Sequence, residues 1–283
     1  MAITEALGER RTVEVPAGTL EYRAIGSGPP VVFAHGAAVN ADLWRRVAPA
    51  LAGERLCIAP DLPIGGHSIP LRDGPDITLF DLGDILADFI EALELDDVTL
   101  VANDTGGAVS QALVGRRAER IGRLVLTSCD AFDNYPPPAV AYLKPMARVA
   151  PAFWLLTQSM RLSAMQRLPI AYGWASHNRM PPEIMDSYLD GLRTNAGVRR
   201  DFARVLRAAD PRDTLRAAED LRRFDRPALV VWAADDKFFP REHGRRLAEL
   251  LPQGRFELVE GSRTFIPEDQ PRRLAELVRA FLG

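Results

Sequence analysis

The stretch Val98-Thr99-Leu100-Val101-Ala102-Asn103-Asp104-Thr105-Gly106-Gly107 decides the fold. Val98–Ala102 reads as a buried strand, and Gly107–Ala118 carries the spacing of a helix, so the chain must turn from strand to helix within a few residues. Small residues stand two before and two after Asp104. That is the spacing of the nucleophile elbow G-x-S-x-G, with Ala102 for the first glycine and Asp104 for the serine. Two readings of Asp104 follow from these residues alone. The turn can push its carboxylate out at the top of a sheet, where the positive end of the following helix favours an anion. Asp104 can equally be a plain N-cap for that helix.

Working outward, strand-like apolar runs alternate with helical runs: Val31–Ala34, Leu43–Leu51, Leu56–Ala59, Leu79–Leu95, the quoted stretch, then Leu124–Ser128. The pattern resumes at Ala228–Ala233, Arg241–Leu251, Phe256–Val259 and Arg272–Phe281. Such alternation predicts an α/β fold with a mostly parallel central sheet and helices on both faces. Thr12–Val15 and Leu20–Ala24, around Pro16-Ala17-Gly18, predict an opening hairpin. From Ala131 to Phe224 the alternation stops, and the stretch is rich in Pro, Trp and Arg with helical spacing. We therefore expect one core from residues 1–130 and 225–283, and a helical cap at 131–224. Ligands of open α/β sheets bind at the carboxyl ends of the strands, which directs the search to residues just after each one.

Composition narrows the function. The 283 residues carry a net charge of −3, and the basic residues are spread along the chain, which argues against nucleic acid as a partner. No apolar run reaches the roughly 18 residues that span a bilayer, and the first residues lack the apolar segment of a signal peptide. A cytoplasmic protein with no membrane partner is expected, and a homodimer stays open. Cys57 and Cys129 sit at strand ends without ligand spacing, and there is no phosphate loop or dinucleotide fingerprint. Neither a metal nor another cofactor is expected.

Further features accumulate around the elbow. His35-Gly36-Ala37-Ala38 follows the third strand, and Asp61-Leu62-Pro63-Ile64-Gly65-Gly66-His67-Ser68 follows the fourth. Together with the hairpin, the elbow, the helical insertion and the closing helix, these come in the order of the α/β-hydrolase fold. The chain resembles the aspartate-nucleophile branch of that superfamily, which includes haloalkane dehalogenases and soluble epoxide hydrolases, over nearly its whole length. The resemblance implies Asp104 as nucleophile, Asp236 as the triad acid after the strand that follows the cap, and Ala37 and Thr105 as backbone donors to an oxyanion or leaving group. Asp130 falls at the alternative acid position of part of the family.

The resemblance breaks at the third triad position. In Gly261-Ser262-Arg263-Thr264-Phe265 the family's histidine is replaced by Thr264, and the four histidines, His35, His67, His177 and His243, all precede the last strand. A carboxylate can form an ester unaided, but threonine cannot deprotonate water near neutral pH. The family's halide donors are also absent, since Ala37 and Thr105 hold those positions. Arg263 is expected to pair with Asp236 in place of the imidazolium. His67 and His177 are the imidazoles that could take over the base's role, while His35 is expected to bond its own turn. Trp154, Tyr172, His35, His67 and His177 are expected at the pocket, beneath a cap whose Phe153, Leu155, Leu156, Met160, Met165, Trp174 and Met180 suit a small lipophilic substrate. Tyr142, Tyr172 and Tyr188 are the cap tyrosines that could protonate an epoxide oxygen. The expected activity is hydrolysis of an epoxide, halide or ester-like bond through Asp104. Non-hydrolytic chemistry with Asp104 as general base, or ligand binding without turnover, are the alternatives.

Overall fold

Strands β1 (Arg10–Val15), β2 (Gly18–Ile25), β3 (Pro30–Ala34), β4 (Leu56–Pro60), β5 (Val98–Asp104), β6 (Ile121–Cys129), β7 (Ala228–Ala233) and β8 (Gly254–Val259) join into one sheet. Their order is β1-β2-β4-β3-β5-β6-β7-β8 in a computed structural model that describes residues 3–283. The β1–β2 and β2–β4 pairs are antiparallel and the remainder parallel. This is the mostly parallel α/β sheet, with helices on both faces, that the alternation predicts.

Eight longer helices flank or cross the sheet: α1 (Leu79–Ala92), α2 (Thr105–Arg116), α3 (Ala150–Ser159), α4 (Pro182–Thr194), α5 (Ala196–Ala208), α6 (Pro211–Asp220), α7 (Arg241–Leu250) and α8 (Pro271–Leu282). Side chains alternate across a strand, so successive residues enter different cores. Leu100, Ala102, Leu124, Leu126 and Val230 pack beneath α1, α2, α6 and α7. Val31, Phe33, Val101, Val125 and Val231 pack on the opposite face with α8 and the segment 41–51. Both faces being buried, the central strands need apolar residues at every position. β7 is ALVVWA, buried throughout.

One expected element differs. In place of a helix over Leu43–Leu51 there are two single turns, Ala41–Trp44 and Ala48–Leu51. Pro49 has no N–H to donate to the carbonyl four residues back and disfavours helical geometry at the residue before it, so the helix restarts there.

Between β6 and β7 the chain is helical, and polar clasps fix it to the loops at the carboxyl ends of the strands. Arg45 grips Glu268 with two bonds of 2.6 and 2.8 Å, and the Tyr188 hydroxyl on α4 donates to the same carboxylate at 2.8 Å. The Arg263 guanidinium donates to the Gly173 carbonyl at 2.6 Å. Among the described residues no helix is long and apolar enough to cross a membrane.

Candidate active site

β5 ends at Asp104 and α2 begins at Thr105, with no residue between them. The reversal is absorbed by Asp104 itself, at φ 56° and ψ −132°. Such a conformation costs a non-glycine residue on the order of 1–3 kcal/mol and persists only where its surroundings hold it. They do so by close approach: a Cβ at Gly106 would overlap the His35 carbonyl oxygen, and one at Gly36 would overlap the Asp104 carboxyl. Asp104 makes no side-chain capping bond to α2. Asp104 thus stands at the N-cap position of α2 without the side-chain bond by which a plain N-cap holds a helix.

The Asp104 carboxyl opens into a cavity of about 190 Å³ under the helical segment. Its walls are apolar, including Phe153, Leu156, Met160, Leu189, Phe202 and Phe238, and its polar floor holds Asp104, Thr105, Asp130 and Thr264. The Thr105 hydroxyl donates to Asp130 Oδ2 at 2.9 Å and lies 3.5 Å from Asp104 Oδ1. Asp236 Oδ1 accepts from the backbone N–H groups of Phe238 and Phe239, each at 2.9 Å, and from the Thr264 hydroxyl at 2.8 Å. Asp130 Oδ1 and Asp236 Oδ2 are buried without a hydrogen-bond partner.

Electrostatics follow from this crowding. Burial pushes the Asp104 carboxyl up to about 7; the Asp236 charge adds to the rise, and the N–H groups of Thr105 and Ala37 oppose it. Asp130 is driven well above the carboxylate range, first by burial and then by Asp104. Burial also raises Asp236 against the bonds it accepts. Because each carboxyl's charge raises its neighbours, Asp104 and Asp130 titrate together rather than independently, with Asp236 adding to the rise of both.

Of the residues expected to line the pocket, Tyr172 does, with its hydroxyl donating to the Ala38 carbonyl at 2.5 Å. The other four lie elsewhere. His35 is fully buried, its Nδ1 bonded to the Gly36 carbonyl at 2.8 Å while Nε2 accepts the Leu62 N–H at 2.7 Å. Burial holds it near 3, so it is a neutral strut. We expect His35→Ala to strand the Leu62 N–H and cost about 1–3 kcal/mol, readable as a lower denaturant midpoint.

His67 is buried away from the cavity, 3.6 Å from Asp201 on α5. His177 lies at the surface, 3.0 Å from Asp235 Oδ2. Trp154 points outward, because on α3 it is Phe153 and Leu156 that face the cavity. Arg263 does not pair with Asp236. Its guanidinium is taken by the carbonyls of Gly173 and Ser176, and Thr264 stands against the carboxylate instead.

Tyr135 is the residue the sequence reading passed over. It lines the cavity, is 4% exposed, and makes no hydroxyl hydrogen bond among the described residues; burial, and after it the charges of Asp130, Asp213 and Asp104, raises its phenol, which holds the proton until an alkoxide develops beside it. Its place just beyond β6, at a strand's carboxyl end, was the available signal. The prolines that follow it suggest only a stiff approach to the insertion.

Residues 29–271 match the family model described as alpha/beta hydrolase fold. The chain is 33% identical over 248 residues to the non-heme chloroperoxidase CPO-A1 of Kitasatospora aureofaciens, covering 85% of this chain and 86% of that one. It is 25% identical over 281 residues to haloalkane dehalogenase 2 of Mycobacterium tuberculosis, covering 95% and 93%. The crystal structure of a haloalkane dehalogenase from Bradyrhizobium elkani superposes with a TM-score of 0.78 at 20% identity, over 97% of each chain, a likeness of fold alone.

Proposed function

The chain belongs to the alpha/beta hydrolase fold family, and from that premise we propose that it is an enzyme opening a carbon–oxygen bond in a small apolar substrate at Asp104, beneath a cap of residues 131–224. One observation carries the proposal: an ionisable carboxyl, held in a strained turn without a cap bond, opens into an apolar cavity. A strained, charge-bearing turn of this kind serves chemistry better than it serves stability.

An epoxide suits the donors present. Asp104 attacks a ring carbon, the ring C–O bond breaks, and its oxygen takes the Tyr135 proton. Water then adds to the resulting ester at the acyl carbon, with the oxyanion facing the N–H groups of Ala37 and Thr105. The water gives one proton to Asp236, whose Oδ2 has no other partner, and that proton returns to the Tyr135 phenolate. The water's second proton passes from the re-formed Asp104 carboxyl to the leaving alkoxide as the acyl C–O bond breaks, so the diol leaves neutral and Asp104 is again a carboxylate. In this scheme a carboxylate raised by burial replaces the imidazole as base. A halide leaving group fits less well, because the Thr105 hydroxyl is taken by Asp130.

The test is multiple turnover of a panel of aliphatic epoxides in isotopically labelled water, with one solvent oxygen per diol expected over many cycles, since the water oxygen enters the Asp104 carboxyl first and leaves in a later diol. Tyr135→Phe should lower kcat/KM about 100-fold, because ring opening is the step it serves, with a smaller fall in kcat, which ester release limits. An unchanged kcat/KM would remove Tyr135 from the scheme. A second reading is favoured by one observation, that no histidine is among the cavity residues: Asp104 as a general base in an elimination or isomerisation. It predicts product without solvent oxygen.

A further inference from the structure

Among the described residues, six of the seven large apolar side chains that stand out into solvent come from the stretch 149–170: Val149 (54% exposed), Trp154 (49%), Leu155 (63%), Leu162 (62%), Leu168 and Ile170. Helix α3 explains how they reach the outside. Trp154 and Leu155 share its outer face with Pro151, while Phe153, Leu156 and Thr157 turn toward the cavity, as residues three and four apart must. Ile170 belongs to both surfaces, exposed on one side and lining the cavity on the other. The patch therefore runs up to the substrate site.

The stretch itself carries charge of one sign, while the neighbouring α4 holds Glu183, Asp186 and Asp190, of which Asp186 is paired with Arg193. Between residues 134 and 182 there are one lysine and four arginines, and no aspartate or glutamate. Lys144 is spent on the Ala209 carbonyl, but Arg148, Arg161, Arg167 and Arg179 are exposed, and among the described residues none of these four is in an ion pair.

We propose that this face docks reversibly on an anionic membrane surface, with Trp154 and the leucines at the headgroup–acyl boundary and the arginines on headgroup phosphates. Exposed Trp and Leu beside unpaired arginines is the composition such interfaces select. A second copy of the chain is a worse occupant. A two-fold interface lays a patch on itself, so the arginines of one copy would face those of the other. The expectation of no membrane partner rested on the lack of a spanning segment, and a docking face needs none. A lipophilic substrate could then pass from the bilayer to the cavity at Ile170.

The experiment is co-sedimentation of the full chain with mixed phosphatidylcholine/phosphatidylserine vesicles and with pure phosphatidylcholine vesicles. Binding to the mixed vesicles that weakens with salt is expected. Removing Arg161 and Arg167 together, as alanines, should cut partitioning about 30-fold, at about fivefold per cation. Leu155→Asp should cut it about tenfold or more. All three positions are exposed, so the fold is not at issue. Asp104→Asn should bind as the parent does, which separates this inference from the catalytic reading. Failure to sediment with the mixed vesicles at low salt overturns it, as does binding that survives either the arginine or the leucine variant. Self-association lost in Leu155→Asp, without vesicle binding, would assign the face to a second copy and overturn it too.

Discussion

Asp104→Asn is expected to lower turnover by about 10⁴-fold or more, the scale seen when the reacting group itself is removed. Asparagine keeps the shape of the carboxyl and can still accept from the N–H groups of Thr105 and Ala37, so the elbow should stand. What it lacks is the anionic oxygen that attacks carbon or abstracts a proton. Intact-protein mass separates these two roles. In the parent chain, incubation with aliphatic epoxides or alkyl halides should give a mass gain equal to the bound fragment. The same incubation of Asp104→Asn should give none. Because the site holds Thr264 at 2.8 Å from Asp236 and no imidazole, release of the ester is the slow step expected of the parent. Thr264→His, which would set an imidazole between Asp236 and Asp104, should shorten the life of the adduct. An equal adduct on Asp104→Asn would show that another group is the nucleophile. Loss of activity with no adduct on the parent would move the mechanism to general-base chemistry.

How far the molecule could be read from its residues depends on what each signal measures. β7 is legible to the residue because a central parallel strand is buried on both faces and so reads as an unbroken apolar run, ALVVWA. The turn at Asp104 is legible because small residues flank it, and at Gly106 that smallness is forced by the His35 carbonyl, as the Asp104 carboxyl forces glycine at Gly36 in the facing loop. The helical segment is another matter. Its elements between Pro138 and Gly173 are short, with α3 at 10 residues the longest, so periodicity has little length over which to declare an inner face. Trp154 and Phe153 are adjacent and both apolar, and the sequence alone does not say which one faces the cavity. Partner choice is equally silent. Arg263 sits one residue from Thr264, yet its guanidinium finds the carbonyls of Gly173 and Ser176, groups supplied by a distant part of the chain. The histidines mislead for the same reason, since loop position sets where His67 and His177 begin but packing sets where they point.

Stability should fall as pH rises through neutrality, and Asp104 should be a principal cause. Its folded carboxyl is raised to about 7 from an ordinary value near 3.8. A carboxyl raised on folding binds its proton more tightly in the folded chain, so its cost is absent below about pH 4, grows between 4 and 7, and is complete above that. About three pH units at about 1.4 kcal/mol each sets an upper bound near 4 kcal/mol; with the carboxyl partly open to the cavity, about 2–4 kcal/mol is expected. Asp61, held up to about 7 by burial against the pull of Arg23, acts in the same direction, and so does Asp130. Denaturant unfolding of the parent at pH 5.5 and pH 8.5 should therefore show lower stability at the higher pH. In Asp104→Asn the difference should shrink by the Asp104 share, leaving a variant more stable than the parent at pH 8.5 and nearly inactive. A parent that gains stability between these pH values, or a variant with the parent's slope, would mean that Asp104 is already ionised without penalty. The expected outcome ties the two measurements together: a buried carboxyl that weakens the fold near neutral pH, and whose removal strengthens it, is a group whose use lies in the reaction.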